Sequence, residues 1–308
     1  MDNYAPLLLF TYNRKEHLEK TIKSLKKNKI SKKTDLIIYS DGPKNLKEIQ
    51  NVKKVRNLLK NINGFKSITI YKRKKNFGLS KNIIKGISQT LKKYETAIIL
   101  EDDLIVNENF LKYMNDGLRK YKKSKKLCSI HGYIPNIKFK KNTPHYFFLR
   151  GADCWGWATW SRAWEKFNPN GVKLKKIIDR LELKYNFNLN NSYDYYQMLE
   201  NQINKKNDSW AIRWYASAFV ENMLTLYPKH SFVKNIGLDG TGTHGSGVNK
   251  NMKVIFKKKR YEKIKNYDLK ENLEARQCLI EYFNKTKDSF FIKTLKKIYY
   301  WFPFKKFG

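Results

Sequence analysis

In the stretch Thr96-Ala97-Ile98-Ile99-Leu100-Glu101-Asp102-Asp103, a short apolar run is ended by three consecutive acids. The run predicts a strand buried on both faces that emerges at a polar edge. Adjacent carboxylates repel one another, and a hard divalent cation with oxygen ligands relieves that repulsion. Side chains alternate along a strand, so Glu101 and Asp103 are expected on one side and Asp102 on the other. A solvated turn, or a helix N-cap before Leu104, is the purely structural alternative.

Upstream, strand and helix patterns alternate. Leu7-Leu8-Leu9-Phe10 is a continuous apolar run, and Leu18, Ile22 and Leu25 follow at helical spacing. Glu16 and Glu19 come early in that helix and Lys26, Lys27 and Lys29 late, matching its dipole. Asp35 to Tyr39 is a second strand, ended by the turn signal Ser40-Asp41-Gly42-Pro43. Leu46, Ile49, Val52 and Leu59 mark a second helix, Ser67 to Tyr71 a third strand, and Leu79, Ile83, Ile87 and Leu91 a third helix. Thr96 to Leu100 is then the fourth strand, followed by a helix at Phe110 to Leu118 and a strand at Leu127 to His131. Such alternation implies parallel pairing in a doubly wound α/β sheet, where ligands bind beyond the carboxyl ends of the strands. Thr11-Tyr12-Asn13-Arg14, Asp41-Gly42, Arg73 to Ser80 and Glu101 to Asp103 all fall at those ends.

Beyond about residue 145 the texture changes. Trp155, Trp157, Trp160 and Trp164 crowd one segment, Trp210 and Trp214 another, and Gly237 to Gly247 reads as a glycine-rich loop. On a terminal helix, Phe291, Leu295, Ile298, Tyr299 and Phe302 share one face and Lys293, Lys296 and Lys297 another. That pattern fits an interfacial helix on anionic lipid, the alternative being a helix docked on the preceding domain.

Composition bounds the function. With 308 residues, 41% hydrophobic and 15% aromatic, the chain has enough for a substantial core. Its apolar runs are far shorter than the roughly 20 residues of a membrane span, and no secretory signal is visible, so a cytoplasmic protein is expected. Cys128, Cys154 and Cys278 show neither metal-ligand spacing nor a disulfide framework. The formal charge of +37 is partly compositional, since Lys and Asn are abundant throughout, as in proteins from AT-rich genomes. The rest fits attraction to an anionic membrane, nucleic acid or phosphorylated substrate. Basic residues form no single nucleic-acid-like block, so no nucleic-acid partner is expected.

These motifs together resemble the GT-A glycosyltransferases, whose fold is a Rossmann-like, mixed but mostly parallel sheet flanked by helices. Leu9-Phe10-Thr11-Tyr12-Asn13-Arg14 resembles the opening strand of family 2 glycosyltransferases and implies nucleotide contact by Thr11, Asn13 and Arg14. Asp41 matches the acid that accepts from the base, and Asn76-Phe77-Gly78-Leu79-Ser80-Lys81-Asn82 resembles the N-x-G-x-x-x-N stretch beside ribose and diphosphate. Glu101-Asp102-Asp103 is similar to the triplet of the N-acetylglucosaminyltransferase I family, whose last acid ligates Mn²⁺ or Mg²⁺; this implies metal at Asp103 and donor contact at Glu101 and Asp102. Cys154-Trp155-Gly156-Trp157, Asp208-Ser209-Trp210 and Thr243-His244-Gly245 resemble that family's glycine-tryptophan, D-D-W and S-H-G segments. Ser209 replaces the second acid, leaving Asp208 as the candidate base. The implied organisation is a GT-A domain over 1–265, with a nucleotide-binding half (1–105) and an acceptor-binding half (106–265), and a basic amphipathic helical tail over 266–308.

Sugar transfer needs stabilisation of a leaving diphosphate and a carboxylate that removes the acceptor proton. Asp208, desolvated by Trp210, is expected to supply the second, unless it merely caps the helix beginning at Trp210. Trp155 and Trp157 either stack on sugar rings or belong to the core. His244 belongs to a lid or a plain surface loop, and Arg14 and Arg73 meet phosphate or solvent. The sequence thus predicts a bacterial, inverting transferase that takes a nucleotide sugar, UDP-linked by expectation. It passes the sugar to a glycan or lipid-linked acceptor of lipopolysaccharide or capsule type at the inner membrane face. A sugar nucleotidyltransferase usually opens with a glycine-rich loop, which Phe10 to Arg14 lacks. A basic nucleic-acid-binding protein leaves the aligned acids unexplained, and the intact triplet argues against a scaffold that has lost catalysis.

Overall fold

The computed structural model of the chain describes residues 4–239, 254, 256 and 261–301, with side chains through 287. Four strands, β1 (Leu7–Thr11), β2 (Asp35–Ser40), β3 (Ser67–Lys72) and β4 (Thr96–Glu101), pair in parallel in the order β3-β2-β1-β4. All five residues of β1 are buried, because it lies between two strands and under helices on its faces. The crossovers α1 (Lys15–Lys26), α2 (Ile49–Leu59) and α3 (Leu79–Leu91) bury Leu18, Ile22 and Leu25, Val52 and Leu59, and Ile83, Ile87 and Leu91 as the spacing predicts. Leu46, Ile49 and Leu79, expected in those stripes, instead sit at or just before the helix starts and are exposed. Phe10 stands opposite both Tyr39 and Glu101, so the turns after β1, β2 and β4 open on one edge.

The chain continues through β5 (Leu104–Val106), α4 (Phe110–Lys120), β6 (Leu127–His131), β7 (Tyr146–Arg150) and β8 (Trp157–Trp160). After the short α5 (Ser161–Trp164) come α6 (Gly171–Arg180), α7 (Lys184–Phe187), α8 (Tyr195–Ile203), α9 (Trp210–Val220), β9 (Leu224–Pro228), β10 (Val233–Asn235) and α10 (Leu273–Trp301). The sheet extends as β4-β8-β6-β9-β7, with β8 antiparallel to both β4 and β6. The fold is therefore mixed α/β with a large central sheet flanked by helices and a C-terminal helix.

Two tryptophan-rich segments distant in sequence meet in the core. Trp157 packs on Trp210 and Trp214, each with ring centroids 5.8 Å away, and Trp164 packs on Trp214 at 5.2 Å. A small ribbon pairs β10 with β5, Asn235 opposite Leu104, and carries the following turn back to the acidic triplet.

The first turns of α10 are docked on the domain. Ala275, Leu279 and Ile280 share a core cluster with Phe147 and Leu149, and the Asn272 amide donates to the Phe148 carbonyl at 2.8 Å. Phe291, Leu295, Ile298 and Tyr299, expected to face lipid, lie beyond the described side chains, and Phe302 lies outside the described residues. Among the described residues, no helix is long and apolar enough to cross a membrane.

Candidate active site

The three acids differ in their surroundings, but not as strand alternation predicts: β4 ends at Glu101, and Asp102 and Asp103 lie in a turn where both reach Arg14. Asp102 is 4% exposed and faces the protein. Its Oδ2 accepts from the Thr11 hydroxyl at 2.9 Å and the Tyr12 amide at 3.1 Å. Its Oδ1 accepts from Arg14 Nη2 at 2.9 Å. The same Nη2 donates to Asp103 Oδ2 at 2.7 Å, so one guanidinium bridges two neighbouring carboxylates. Arg14 thereby supplies part of the positive charge that the sequence reading assigns to a cation. Thr11, Arg14 and Asp102 form a latch between the ends of β1 and β4. Burial pushes the Asp102 carboxyl up, opposed by Arg14. Glu101 is pushed up to about 8 by burial first, then by Asp103 and Asp102.

Among the described residues, the Asp103 side chain has fewer hydrogen-bond partners than that of Asp102, Arg14 being its donor. Its backbone carbonyl accepts from the Ile236 amide at 2.9 Å, which holds the turn after β10 over it. A Cβ on Gly237 would lie 2.0 Å from Asp103 Oδ2, so only glycine permits this approach. Among the described residues, no group of three or more His, Cys, Asp or Glu is arranged to hold a metal ion. The donor set instead fits the mode in which Mg²⁺ or Mn²⁺ keeps waters and binds through one carboxylate, here Asp103, plus substrate phosphates.

The remaining polar residues expected at these strand ends are mostly tied to one another. Asp41 Oδ1 accepts from the Gly42 and Phe77 amides at 2.8 and 2.9 Å, and Oδ2 from Asn76 at 3.3 Å. It is 4% exposed, and burial raises its pKa against those backbone donors. It thus clamps the turn after β2 to the turn before α3. Gly78 begins that helix at φ +73°, a conformation glycine adopts without strain. Asn82, buried, accepts from Arg73 Nε at 3.1 Å, and Arg73 lies over the rings of Phe77 and Tyr39. Arg73 Nη2 is buried without a hydrogen-bond partner. Asn13 donates to Glu48 at 2.5 Å.

Two sequence readings need correction. Trp210 does not desolvate Asp208: it turns into the core at 3% exposure, while the Asp208 side chain is 70% exposed. Asp208 accepts from Arg213 Nη2 at 3.2 Å, and the same nitrogen donates to Ser80 at 2.6 Å. Nor does Asp208 cap the helix, since the Ser209 hydroxyl accepts from the Ile212 amide. Trp157 is fully buried among other tryptophans and has no face for a sugar. Trp155 is only partly buried and lines a cavity. His244 lies outside the described residues.

Sequence reasoning passed over Asp153. Ile99 stands opposite Trp157 in the antiparallel β4–β8 pair, so the residues just before β8 run back beside Glu101 to Asp103. Cys154 reports that closeness: its thiol is pushed well above the usual range by burial, then by Asp153, Glu101 and Asp103. The signal was an acid directly preceding the Cys154-Trp155-Gly156-Trp157 motif.

At this strand edge the Asp103 side chain, 15% exposed, stands beside Arg14. The model of glycosyl transferase family 2 matches residues 7–179, more than half of the chain, and the protein belongs to that family of glycosyltransferases. No curated protein matches the chain significantly. Solved structures similar to parts of it include S. aureus TarS 1-349, at 14% identity over 52% of this chain and 47% of that one, TM-score 0.34. TarS 1-349 in complex with UDP-GlcNAc matches at 16% identity over 46% and 36%, TM-score 0.31. Mannosyltransferase PcManGT from Pyrobaculum calidifontis, in complex with GDP-Man and Mn²⁺, matches at 9% identity over 43% and 36%, TM-score 0.30. The matches span less than half the length of these relatives.

Proposed function

We propose that this glycosyltransferase moves a sugar from a nucleoside-diphosphate donor, UDP-linked, to a hydroxyl of a surface-glycan precursor of lipopolysaccharide or capsule type. Inversion at the anomeric carbon follows from direct displacement. The observation that carries the reading is the division within the acidic triplet: Asp102 is locked to Thr11, Tyr12 and Arg14, and Asp103 stands at the strand edge. Bound at Asp103, Mg²⁺ or Mn²⁺ would act as a Lewis acid on the diphosphate. Arg14 holds Asp103 in place, and Asp41 orders the Asn76–Gly78 turn that faces the donor. The charge of +37 supports peripheral attachment to the anionic cytoplasmic face of a membrane, where lipid-linked acceptors are found.

A thermal-shift panel of UDP-, GDP-, dTDP- and CMP-sugars with and without Mn²⁺ tests the donor. A metal-dependent shift is expected with at least one, and it disappears in Asp103→Ala. No shift with any donor removes the reaction. Deleting residues 286–308 should release the protein from anionic vesicles; unchanged co-sedimentation removes the membrane role of that segment.

A further inference from the structure

Beside the triplet lies a cavity of about 220 Å³ whose use the donor side does not explain. Its walls include Tyr133, Trp155, Tyr193, Tyr195 and Tyr227, with Asp153 among them and α10 closing one side through Leu279 and Phe283. Tyr133 meets Trp155 edge-on at 4.7 Å. The Tyr133 hydroxyl is buried with no hydrogen-bond partner, although the residue is 94% enclosed (6% exposed). Buried polar groups are normally paired, so an orphan hydroxyl in a cavity wall marks a place where a ligand supplies the partner.

Asp153 is the carboxylate of this cavity. Its Oδ1 accepts from the Cys154 amide at 2.7 Å, which fixes the side chain. Its Oδ2 faces His131 Nε2 at 3.5 Å. That ring is fully buried, and both its nitrogens lack hydrogen-bond partners. Burial lowers the His131 pKa against the pull of Asp153, so the neighbour is an uncharged imidazole. Asp208, by contrast, is held by Arg213 and does not line the cavity.

Resting on the transfer reaction proposed above, we infer that Asp153, not Asp208, is the catalytic base, and that the cavity is the subsite for a single acceptor sugar ring. The volume falls below the roughly 300 Å³ at which drug-sized pockets begin, which suits one ring with the remaining glycan outside. Tyrosine and tryptophan present apolar faces with polar rims, complementary to a sugar's C–H face and its hydroxyls. In the step, the acceptor oxygen forms its bond to the anomeric carbon while its proton passes to Asp153. The bond from that carbon to the diphosphate oxygen breaks, and its electron pair leaves on the diphosphate. Asp153, 40% exposed, then returns the proton to water.

The test uses the full chain, Mn²⁺ and the nucleotide sugar giving the largest thermal shift, with nucleoside-diphosphate release as readout. Water serves first as the acceptor, then a panel of methyl glycosides. Asp153→Asn should keep donor-induced stabilisation and lower release by about 10²- to 10⁴-fold. Asp153→Glu, which keeps the charge, should recover part of the rate. Asp208→Asn should stay within about tenfold of wild type. Trp155→Ala should remove stimulation by methyl glycosides. The base assignment is overturned if Asp153→Asn releases product at the wild-type rate, if Asp208→Asn suffers the large loss instead, or if Asp153→Asn also loses the donor shift. The subsite is overturned if no methyl glycoside stimulates the wild type, or if Trp155→Ala responds to them normally. Donor binding with a misassigned base is thus distinguishable from a chain that binds no donor.

Discussion

Two regions beside the acidic triplet treat their polar groups differently, although Arg73 Nη2 on the first is also buried without a hydrogen-bond partner. On the β1–β4 side, Thr11, Tyr12, Arg14, Asp41, Asn76 and Asp102 are bonded to one another. On the side built by β6, β8 and α10, Tyr133 and His131 keep buried polar atoms without hydrogen-bond partners. A donor carrying a diphosphate needs a rigid cradle whose geometry is fixed before binding, since preorganised dipoles cost no reorganisation during reaction. An acceptor ring can itself complete hydrogen bonds that the protein leaves open.

The comparison is broken most directly at Asp102 and Trp157. Asp102→Ala leaves Arg14 half-paired at a buried site and should destabilise the protein by about 3–5 kcal/mol in denaturant titration. Trp157→Ala, which opens the tryptophan core, should cost a similar 3–5 kcal/mol or so. Trp155→Ala, two residues away, should cost much less, because its side chain borders a space. Equal losses at the two tryptophans would dissolve the distinction between core and cavity.

Gly237→Ala sharpens it at smaller scale. The added methyl collides with Asp103 Oδ2, and metal-dependent donor affinity should fall roughly tenfold or more, with little change in unfolding midpoint without donor. Unchanged affinity would mean that this turn does not hold Asp103.

Glu101→Gln should show a pH signature. Glu101 keeps its proton in the folded chain up to about 8 but releases it near the ordinary value in the unfolded chain. Rising pH between those values therefore favours unfolding of the wild type. The Gln variant lacks that penalty, so its melting temperature relative to wild type should rise across this window, by about 2 °C or more. A difference constant with pH contradicts the raised value. Asp208→Asn should have the smallest effect on stability, roughly 1 kcal/mol or less, since it breaks an ion pair whose carboxylate is exposed.

Much of the β1–β4 edge was legible in the sequence because its logic is local. Apolar runs at Leu7 and Ala97 specify buried parallel strands, and polar turns that end such strands share an edge once the alternation is recognised. The surroundings of the tryptophans were not legible. Trp155 and Trp157 look equivalent in the sequence, yet one lines a cavity and the other is enclosed by Trp164, Trp210 and Trp214. Asp208 has the motif, and Asp153 has the position.

By itself the sequence determined the alternating α/β order and family membership, because strand period and apolar runs act over a few residues. Only the tertiary structure decided which acid stands beside the aromatic cavity, that Arg14 bridges two of the triplet's carboxylates, and that α10 closes a wall against β7. Those contacts join segments tens to more than a hundred residues apart. The first depends on the antiparallel register of β8 against β4, which no local pattern encodes.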